Sequence, residues 1–384
     1  MLISRRNVLR HIAAGAATAA VLPLAEASHG AARGLRLEEP IDKTGGPIRL
    51  TRNENAYGPP AKVKAVMQEA GLNAANRYPE LEAEALQIRI AALHGVAADQ
   101  VVLGCGSTEI MRMAVDAFVG CRKKLIVATP TCDRIGGFAQ RAGAEVVAVA
   151  LARDYSHDLH AMLMRTDDTM GLVYICNPNN PTGTLTRRLD IEAFVRSLPP
   201  STYVLIDEAY HHYVNPSSDY ASFIDRPLND NRVIVTRSFS KIYGLAGVRV
   251  GYAVATPPAA RLLASYRIPE AVNIVAAKAA VTALDDSEHV LASARRNADD
   301  RQEFCNQANA RMVRAIDSHT NFVLVNTGRA AVEVIEHFSK NDIALKQPFS
   351  SFNEYIRVSL GTAADMLEFW RVWDLMPIHN MSHE

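Results

Sequence analysis

A lysine at the end of an apolar run is the first group in the chain whose position suggests chemistry. Lys241 follows the run 233–237, with Ser238 and Ser240 just before it and Arg249 eight residues after it. An amine, two hydroxyls and an arginine near one strand end are placed to bind a phosphate ester. Alone this pattern decides nothing, because a lysine in a glycine-rich loop usually faces solvent.

Two further apolar runs lead to polar side chains. The run 204–207 ends in Asp207, and the run 172–176 is followed by the turn 177–183, which contains two prolines, a glycine and Asn180. A carboxylate at a buried strand end is costly unless it meets a cation, although an ordinary arginine or helix would also satisfy it. The prolines fix the turn and present the amide at the same sheet edge.

The stretch 104–109 places glycines, Ser107 and Thr108 at the start of a helical pattern. Free N–H groups at a helix N-terminus, together with hydroxyls, suit a phosphate. Any one glycine-rich turn of this kind is common. Four polar features in this order, each next to a strand end, predict a single ligand site at the carboxyl edge of a sheet.

The alternation of apolar runs and helical patterns predicts the fold class. Continuous apolar strands separated by helices indicate an α/β fold with a mostly parallel, seven-stranded sheet that is covered by helices on both faces. We expect Thr186 to be the N-cap of the helix predicted at 187–196. The predicted strands are 101–103, 124–128, 146–150, 172–176, 204–207, 233–237 and 248–253, and the helices between them include 109–117, 133–142 and 187–196.

The pattern changes after Pro269 to long helical stretches, followed by two more strands. We therefore predict a large domain over 77–270 and a smaller α+β domain built from 48–76 and 271–384. The helices of the small domain are expected at 272–284 and 288–315, and its strands at 322–325 and 355–359.

Composition narrows the class of partner. The chain has 41 basic and 41 acidic side chains, so no net charge favours nucleic acid or an anionic membrane, and a small-molecule substrate is expected. The five cysteines are scattered and form no ligand cluster. His211 and His212 lie close to Asp207 and Glu208, but no third ligand has suitable spacing, so we expect no metal site.

The N-terminus resembles a twin-arginine export signal. Arg5 and Arg6 precede the apolar, alanine-rich run 12–24, and 25–27 offers a small-x-small cleavage site. We expect residues 1–27 to be removed and 28–47 to form a polar segment. The run is too short for stable membrane insertion, which needs about 20 residues. The protein would then be periplasmic or otherwise exported, and it would fold before export. The alternative is a non-exported amphipathic or disordered N-terminus.

Together the four features resemble the fold-type-I aminotransferases that use pyridoxal phosphate, and most closely the histidinol-phosphate aminotransferase branch, over residues 53–362. The resemblance implies that Lys241 carries the cofactor as a Schiff base and later moves a proton between substrate and cofactor. It implies that Asp207 pairs with the pyridine nitrogen. The other implied contacts are Asn180 and Tyr210 at the phenolic oxygen, and Ser107, Thr108, Ser238, Ser240 and Arg249 at the phosphate.

The same resemblance assigns substrate and subunit contacts. Arg357, within 355–362, matches the arginine that grips the α-carboxylate of the substrate. Tyr57 matches a segment that lies over the substrate. Tyr78 matches a tyrosine that reaches the cofactor phosphate of the partner subunit, which implies a homodimer with shared active sites.

Two departures from the family pattern concern the substrate end of the site. Relatives carry an aromatic side chain that stacks on the cofactor ring, whereas this chain has Cys132 and Ile135 at the two positions usually aromatic in relatives. The arginine expected to recognise a substrate phosphate is replaced by Lys346, which offers a point charge and no fork. Both changes predict an altered substrate pocket, with Lys346 still a substrate-binding residue.

We therefore predict a dimeric aminotransferase that folds with its cofactor in the cytoplasm and is then exported. It would move an amino group from an amino acid, histidinol-phosphate-like or other, to a 2-oxo acid by ping-pong chemistry. One alternative keeps the cofactor and changes the reaction to that of a lyase or oxidase acting on an amino acid. Another is a non-catalytic periplasmic binding or scaffold protein that retains the fold, which the intact set of polar side chains disfavours.

Overall fold

The computed structural model describes residues 46–225, 230–349 and 351–377. The predicted export signal over 1–27, and the polar segment to residue 45, lie outside these described residues. Among the described helices, none combines the length and the apolar character that crossing a bilayer requires.

The strands and helices alternate along the first two thirds of the chain, as the apolar runs predict. The strands are β1 Ile48–Leu50, β2 Val101–Gly104, β3 Lys124–Thr129, β4 Val146–Ala150, β5 Met170–Cys176, β6 Tyr203–Asp207, β7 Val233–Ser238, β8 Gly251–Ala255, β9 Arg314–Ala315, β10 Phe322–Asn326, β11 Ile343–Leu345 and β12 Tyr355–Ser359. The α-helices are α1 Ala61–Asn73, α2 Glu80–His94, α3 Ser107–Phe118, α4 Arg134–Arg141, α5 Leu159–Leu163, α6 Arg188–Ser197, α7 Pro257–Ala264, α8 Ile274–Leu284, α9 Ser287–Ala310, α10 Ala331–Lys340 and α11 Ala363–Asp374.

The main sheet confirms the predicted fold class. Its seven strands run in the order β2-β8-β7-β6-β5-β3-β4. The pairs among β7, β6, β5, β3 and β4 are parallel, and β8 is antiparallel to both of its neighbours. All residues of β5 are buried, because helices cover both faces and an apolar side chain is then needed on each side of the strand.

Three predicted boundaries are wrong for local reasons. The last strand of the sheet begins at Gly251, because Arg249 adopts φ 66°, which breaks the extended chain. Helix α6 begins at Arg188 with no side-chain cap, and the Thr186 hydroxyl instead accepts from the backbone N–H of His157 at 3.0 Å. Helix α9 ends at Ala310, because Met312 adopts φ 56° before β9.

The ends of the described chain meet in two small sheets. Strand β1 pairs in parallel with β11, as expected from the prediction that the first strand packs with the C-terminal part, and β10 pairs with both β12 and β9 in antiparallel orientation. The sequence assigns helices α1 and α8 to the small domain, but in the structure they pack with the main sheet. Val63 of α1 and Ala276 of α8 belong to the same apolar cluster as Val204 and Ile206 of the main sheet, because the alanine-rich face of α8 lets it pack closely.

Candidate active site

A cavity of about 840 Å³ opens where the carboxyl ends of β5, β6 and β7 meet the start of α3. This is the position at which ligands bind in parallel sheets, because loops and helix N-termini converge there. Of the side chains predicted to act on cofactor or substrate, the following line it: Ser107, Thr108, Asn180, Asp207, Tyr210, Ser238, Ser240, Lys241, Arg249, Lys346 and Arg357.

The amine of Lys241 is held by main-chain oxygens. Its Nζ donates to the carbonyl oxygens of Arg52 at 3.0 Å and Asn53 at 2.9 Å, and it lies 5.4 Å from the ring centroid of Tyr210. Burial, reinforced by the positive charge of Arg357, lowers the pKa of Lys241 to about 7. A large part of this lysine is therefore a neutral amine at neutral pH, which is the nucleophilic form.

This lowered pKa predicts how the cofactor-free protein reacts with pyridoxal phosphate at different pH values. Below pH 7 Lys241 is an ammonium ion, so the rate of covalent uptake should rise about tenfold per pH unit and level off above about 7. Stopped-flow absorbance between pH 5 and 10 measures this rate. A rate that keeps rising to pH 10, as for an ordinary lysine, would contradict the prediction.

Asp207 is the last residue of β6 and is 3% exposed. Its Oδ2 accepts from the Tyr174 hydroxyl at 2.8 Å and its Oδ1 accepts from the N–H of Ala209 at 3.1 Å. Burial raises the pKa of Asp207 to about 6, although these hydrogen bonds and the charge of Lys241 oppose the shift. Among the described residues, no cation contacts this carboxylate, which is the environment that a protonated pyridine nitrogen would complete.

Asn180 and Tyr210 each keep a donor for the cavity. The Oδ1 atom of Asn180 accepts from Arg357 at 2.6 Å, so its Nδ2 is the end left to donate. The Tyr210 oxygen accepts from Nδ2 of Asn53 at 2.9 Å, so its own proton is left to donate. Burial also raises the pKa of Tyr210 and keeps the hydroxyl protonated.

The phosphate end of the cavity is built by Arg249 and the start of α3. The guanidinium of Arg249 donates to the carbonyl oxygen of Ala246 at 3.0 Å and to the hydroxyl of Ser240 at 3.4 Å. Gly106 precedes the helix with φ 76°, and a Cβ on it would come within 2.3 Å of Arg249 Nη2. Glycine tolerates this left-handed φ and leaves room for the guanidinium beside the N–H groups that begin at Ser107, so both can donate to one phosphate.

At the opposite end, Arg357 is 5% exposed and lies 5.3 Å from the Phe322 ring and 5.7 Å from the Phe349 ring. Its Nη2 donates to the carbonyl oxygen of Thr51, and its Nε has no partner among the described atoms. Lys346 lines the same cavity, with its amine 6.0 Å from the Phe349 ring.

Two predicted residues lie outside the cavity of the single chain. Tyr57 lines a separate small cavity, where its hydroxyl donates to Asp300 at 3.2 Å and Arg296 stacks at 4.3 Å from its ring. Tyr78 is 74% exposed. In this chain the Tyr57 hydroxyl therefore does not face the predicted substrate position. Tyr78 does not line the main cavity of the same chain.

The loop that lacks the family aromatic presents its polar residues. Cys132 and Arg134 line the cavity, whereas Ile135 is fully buried in the apolar cluster around Met111. Of the two residues at the positions usually aromatic in relatives, the structure thus places Cys132 at the cavity and Ile135 in the core.

Sequence reasoning missed Tyr174 and the carbonyl oxygens at 52–53, which contact Asp207 and Lys241. Tyr174 could have been suspected, because it lies two residues before the end of β5, and residues of one parity share a strand face.

The histidines near Asp207 contact tyrosines. His211 Nδ1 lies 2.9 Å from the Tyr220 hydroxyl, and His212 Nε2 lies 3.3 Å from the Tyr243 hydroxyl. Within the part of the chain that the structure describes, no three His, Cys, Asp or Glu side chains are grouped as metal ligands.

Comparison with known proteins agrees with this geometry. The family model for aminotransferase class I and II matches residues 46–372. The chain belongs to this aminotransferase family. A histidinol-phosphate aminotransferase of Moorella thermoacetica is 34% identical over 82% of this chain and 81% of its own length. One from Ralstonia nicotianae is 39% identical over 73% of this chain and 74% of its own.

The solved structures extend the comparison to the cofactor. Histidinol-phosphate aminotransferase from Sinorhizobium meliloti, in complex with pyridoxal-5'-phosphate, superposes with a TM-score of 0.80 and 25% identity, covering 86% of this chain and 92% of its own. This aminotransferase is thus on the histidinol-phosphate aminotransferase branch and is a pyridoxal-phosphate-dependent transaminase, as the sequence resemblance implied.

The residues of this aminotransferase fit pyridoxal phosphate. The amine of Lys241 has a lowered pKa, the carboxylate of Asp207 lacks a cation, and Gly106 keeps space between Arg249 and the helix start. Asn180 and Tyr210 supply donors between these ends. When bound, the cofactor withdraws electrons from the substrate Cα and so makes its proton removable.

Proposed function

We propose that the enzyme transfers an amino group between an α-amino acid and a 2-oxo acid, and that Arg357 binds the α-carboxylate of both. The observation that carries the proposal is this buried guanidinium, which has no carboxylate partner among the described residues and one unpaired nitrogen. A buried cation is strongly stabilised by an anion, and the fork geometry of arginine fits two carboxylate oxygens. The rings of Phe322 and Phe349 lie beside the guanidinium at distances that allow cation–π attraction.

The chain's own groups have distinct tasks in the reaction. Arg357 would orient the substrate so that its Cα–H faces the amine of Lys241, and that amine would take the Cα proton and deliver it to carbon C4′ of the cofactor. Asp207 would hold a proton on the pyridine nitrogen of the bound cofactor, and Tyr210 and Asn180 would donate to its phenolic oxygen. Amino acid and 2-oxo acid use the same cavity in turn, which gives ping-pong kinetics.

An amino acid with a free carboxylate is a better substrate proposal than histidinol phosphate. Lys346 stands where the family's phosphate-recognising arginine is expected, and an ammonium cannot bind two phosphate oxygens as a fork. Arg357, by contrast, has the geometry for a carboxylate. Parallel assays with amino acids and with histidinol phosphate test this preference, and a higher kcat/KM for histidinol phosphate would reject it.

Replacing Arg357 tests the carboxylate proposal. We expect Arg357→Gln to raise KM for the amino acid at least about 100-fold, because a buried charge pair is lost, and Arg357→Lys to have a smaller effect because the charge remains. Steady-state kinetics on an amino acid and on the amine that lacks its carboxylate measure the effect. Arg371→Gln, which removes a surface pair with Glu368, is the matched control.

The KM for the carboxylate-free amine shows whether Arg357 acts on the carboxylate of the substrate. If Arg357 binds the carboxylate, Arg357→Gln leaves KM for the carboxylate-free amine nearly unchanged. An equal rise in KM for both substrates would contradict the proposal. Amino donor alone should also convert the bound cofactor to its amine form, without release of ammonia or consumption of oxygen, which separates a transaminase from a lyase or oxidase.

We also propose a homodimer with shared active sites. The supporting observation is that three large side chains close together in the sequence are exposed: Tyr78 is 74% exposed, and Leu72 and Leu81 are each 77% exposed. Burial of such side chains favours association. Light scattering should give twice the chain mass, and Tyr78→Phe should weaken cofactor retention; a monomer that retains pyridoxal phosphate would reject the proposal.

Export is proposed from the sequence alone. The arginine pair at 5–6, the short apolar run 12–24 and the small residues at 25–27 support it. N-terminal sequencing of the protein from a periplasmic fraction should begin near residue 28. Replacing both arginines by lysine should keep the chain in the cytoplasm, and unchanged distribution would reject export by this route.

A further inference from the structure

Asn53 is a buried polar residue between the cavity and the strand that carries Arg357. It is 1% exposed and adopts φ 55°. Asparagine is among the few residues other than glycine that tolerate this left-handed conformation. Each polar atom of Asn53 has a hydrogen-bond partner, which is what burial of an amide demands.

The cavity side of Asn53 holds the two groups that would face the cofactor. Its Nδ2 donates to the Tyr210 hydroxyl oxygen at 2.9 Å, and its carbonyl oxygen accepts from Lys241 Nζ at 2.9 Å. No other hydrogen bond to the Tyr210 hydroxyl is formed within the described residues. The side chain of Asn53 therefore fixes the direction in which that hydroxyl can donate.

The other side of Asn53 is attached to β12. Its N–H donates to Ser359 Oγ at 2.8 Å, and its Oδ1 accepts from the same hydroxyl at 3.0 Å. Ser359 and Arg357 are two residues apart on β12 and so share a face of the strand. Thr51, two residues before Asn53, accepts from Arg357. Segment 51–53 thus joins the substrate arginine to the lysine and the tyrosine.

We propose that Asn53 is a positioning residue that orients the Tyr210 hydroxyl and the Lys241 amine towards the cofactor, an inference that rests on the proposed function. A phenol oxygen that accepts a hydrogen bond becomes a stronger donor through its own proton. Asn53 strengthens in this way the donation of Tyr210 to the phenolic oxygen of the cofactor. Its carbonyl oxygen, fixed by Asn321 Nδ2 at 3.0 Å, keeps the free amine of Lys241 in the cavity.

The charges around Tyr210 do not replace this contact. Among the described residues, the titratable groups near Tyr210 are Arg357, Lys241, Cys132, Cys176 and Tyr213. Lys241 lies over the ring, and Arg357 donates to Asn180 and Thr51. The hydrogen bond from Asn53 is therefore the contact whose removal isolates the effect on the hydroxyl.

The test is a pH titration of the visible absorbance of the cofactor-loaded enzyme without substrate. The phenolic oxygen is conjugated to the nitrogen that joins the cofactor to Lys241, so a weaker donor at the oxygen raises the pKa of that nitrogen. We expect Asn53→Gly, which keeps the left-handed backbone, to raise the midpoint by about one pH unit. Asn53→Asp should raise it at least as much, because a carboxylate would draw the Tyr210 proton away.

A double-mutant comparison separates positioning from general loosening. In a Tyr210→Phe background Asn53→Gly should cause no further shift of the midpoint, because the hydroxyl it acts through is gone. Asn55→Ala is the matched control: within the described part of the chain, it removes side-chain hydrogen bonds to Ile242 and Tyr57 in the same segment and none to Tyr210. It should leave the midpoint unchanged. KM should change little in Asn53→Gly while kcat falls.

Two results would overturn the inference: an unshifted midpoint in Asn53→Gly, or equal shifts with and without the Tyr210 hydroxyl. If the Asn53 variants do not fold, Ser359→Ala, which frees the amide of Asn53, must raise the midpoint by a smaller amount, and an unshifted midpoint there also overturns it. A wild-type chain that develops no visible band with pyridoxal phosphate would instead reject the function on which the inference rests.

Discussion

Lys241→Ala is expected to lower amino transfer at least about 10⁴-fold and to abolish covalent attachment of the cofactor. The amine of this residue is the nucleophile, and it also carries the proton in the reaction, so one substitution removes both contributions. Lys241→Arg should be equally inactive. Arginine keeps a positive charge at the same place but stays protonated, which separates the role of the amine from that of the charge.

Covalent attachment can be measured apart from activity. Borohydride reduction of the loaded wild-type protein, followed by peptide mass spectrometry, should place the cofactor mass on the peptide that contains Lys241. The surface variant Lys340→Ala, which removes a pair with Glu336, should behave as wild type. If the Lys241→Ala protein retains the mass, attachment occurs at another lysine, and Lys346, the other lysine that lines the cavity, is the first to examine.

The sequence predicts the centre of this site because the relevant residues end strands. Asp207 and Ser238 are the last residues of β6 and β7, and parallel strands bring their carboxyl ends to one edge whatever the loop conformations are. Lys241 follows within three residues, so little freedom is left to misplace it. Type, spacing and strand order are sufficient for this part.

Contacts between segments that are far apart in the sequence could not be predicted in the same way. Tyr174 and Asp207 are 33 positions apart, and Asn53 and Tyr210 are 157 apart. Whether such pairs meet depends on the register of neighbouring strands and on how the N-terminal segment crosses the cavity. Nothing local in the sequence encodes either quantity. The residues that support the cavity-lining side chains, such as Tyr174 and Asn53, are therefore found only in the folded chain.

Backbone conformation and packing account for the remaining differences. The φ of 66° at Arg249 shortens β8, and a positive φ at an arginine is not a propensity that sequence shows. The absence of an aromatic at 132 and 135 is visible in the sequence, but which residue faces the cavity is decided by the amphipathic face of α4 that Ile135 buries.

Asp207→Asn is expected to stabilise the cofactor-free protein and to impair the activity of the loaded enzyme. In the cofactor-free protein the buried carboxylate has a raised pKa of about 6 and no cation in contact within the described residues. Its stabilising contribution is complete below the unfolded pKa of about 3.9 and is lost as pH rises through about 6. At pH 7 the neutral amide should therefore stabilise the cofactor-free protein, on the order of 1 to 3 kcal/mol.

The same substitution should impair the loaded enzyme. An amide cannot hold the proton on the pyridine nitrogen as a carboxylate does, so we expect kcat to fall roughly 10² to 10³-fold, the size of one lost charge interaction in a dry site. Cofactor affinity should fall as well. Denaturant unfolding of the cofactor-free protein, single-turnover kinetics and equilibrium dialysis measure the three effects separately.

Glu208, the acid next to Asp207, provides the matched comparison. Both carboxylates are buried, but among the described residues only that of Glu208 contacts a cation. Glu208 is 1% exposed and pairs with buried Arg237 at 3.0 Å. Glu208→Gln leaves Arg237 without its counterion and should destabilise the cofactor-free protein by about 3 to 5 kcal/mol, the opposite sign to Asp207→Asn. If Asp207→Asn destabilises the cofactor-free protein to the same extent, its carboxylate already has a protein partner and is not reserved for the cofactor.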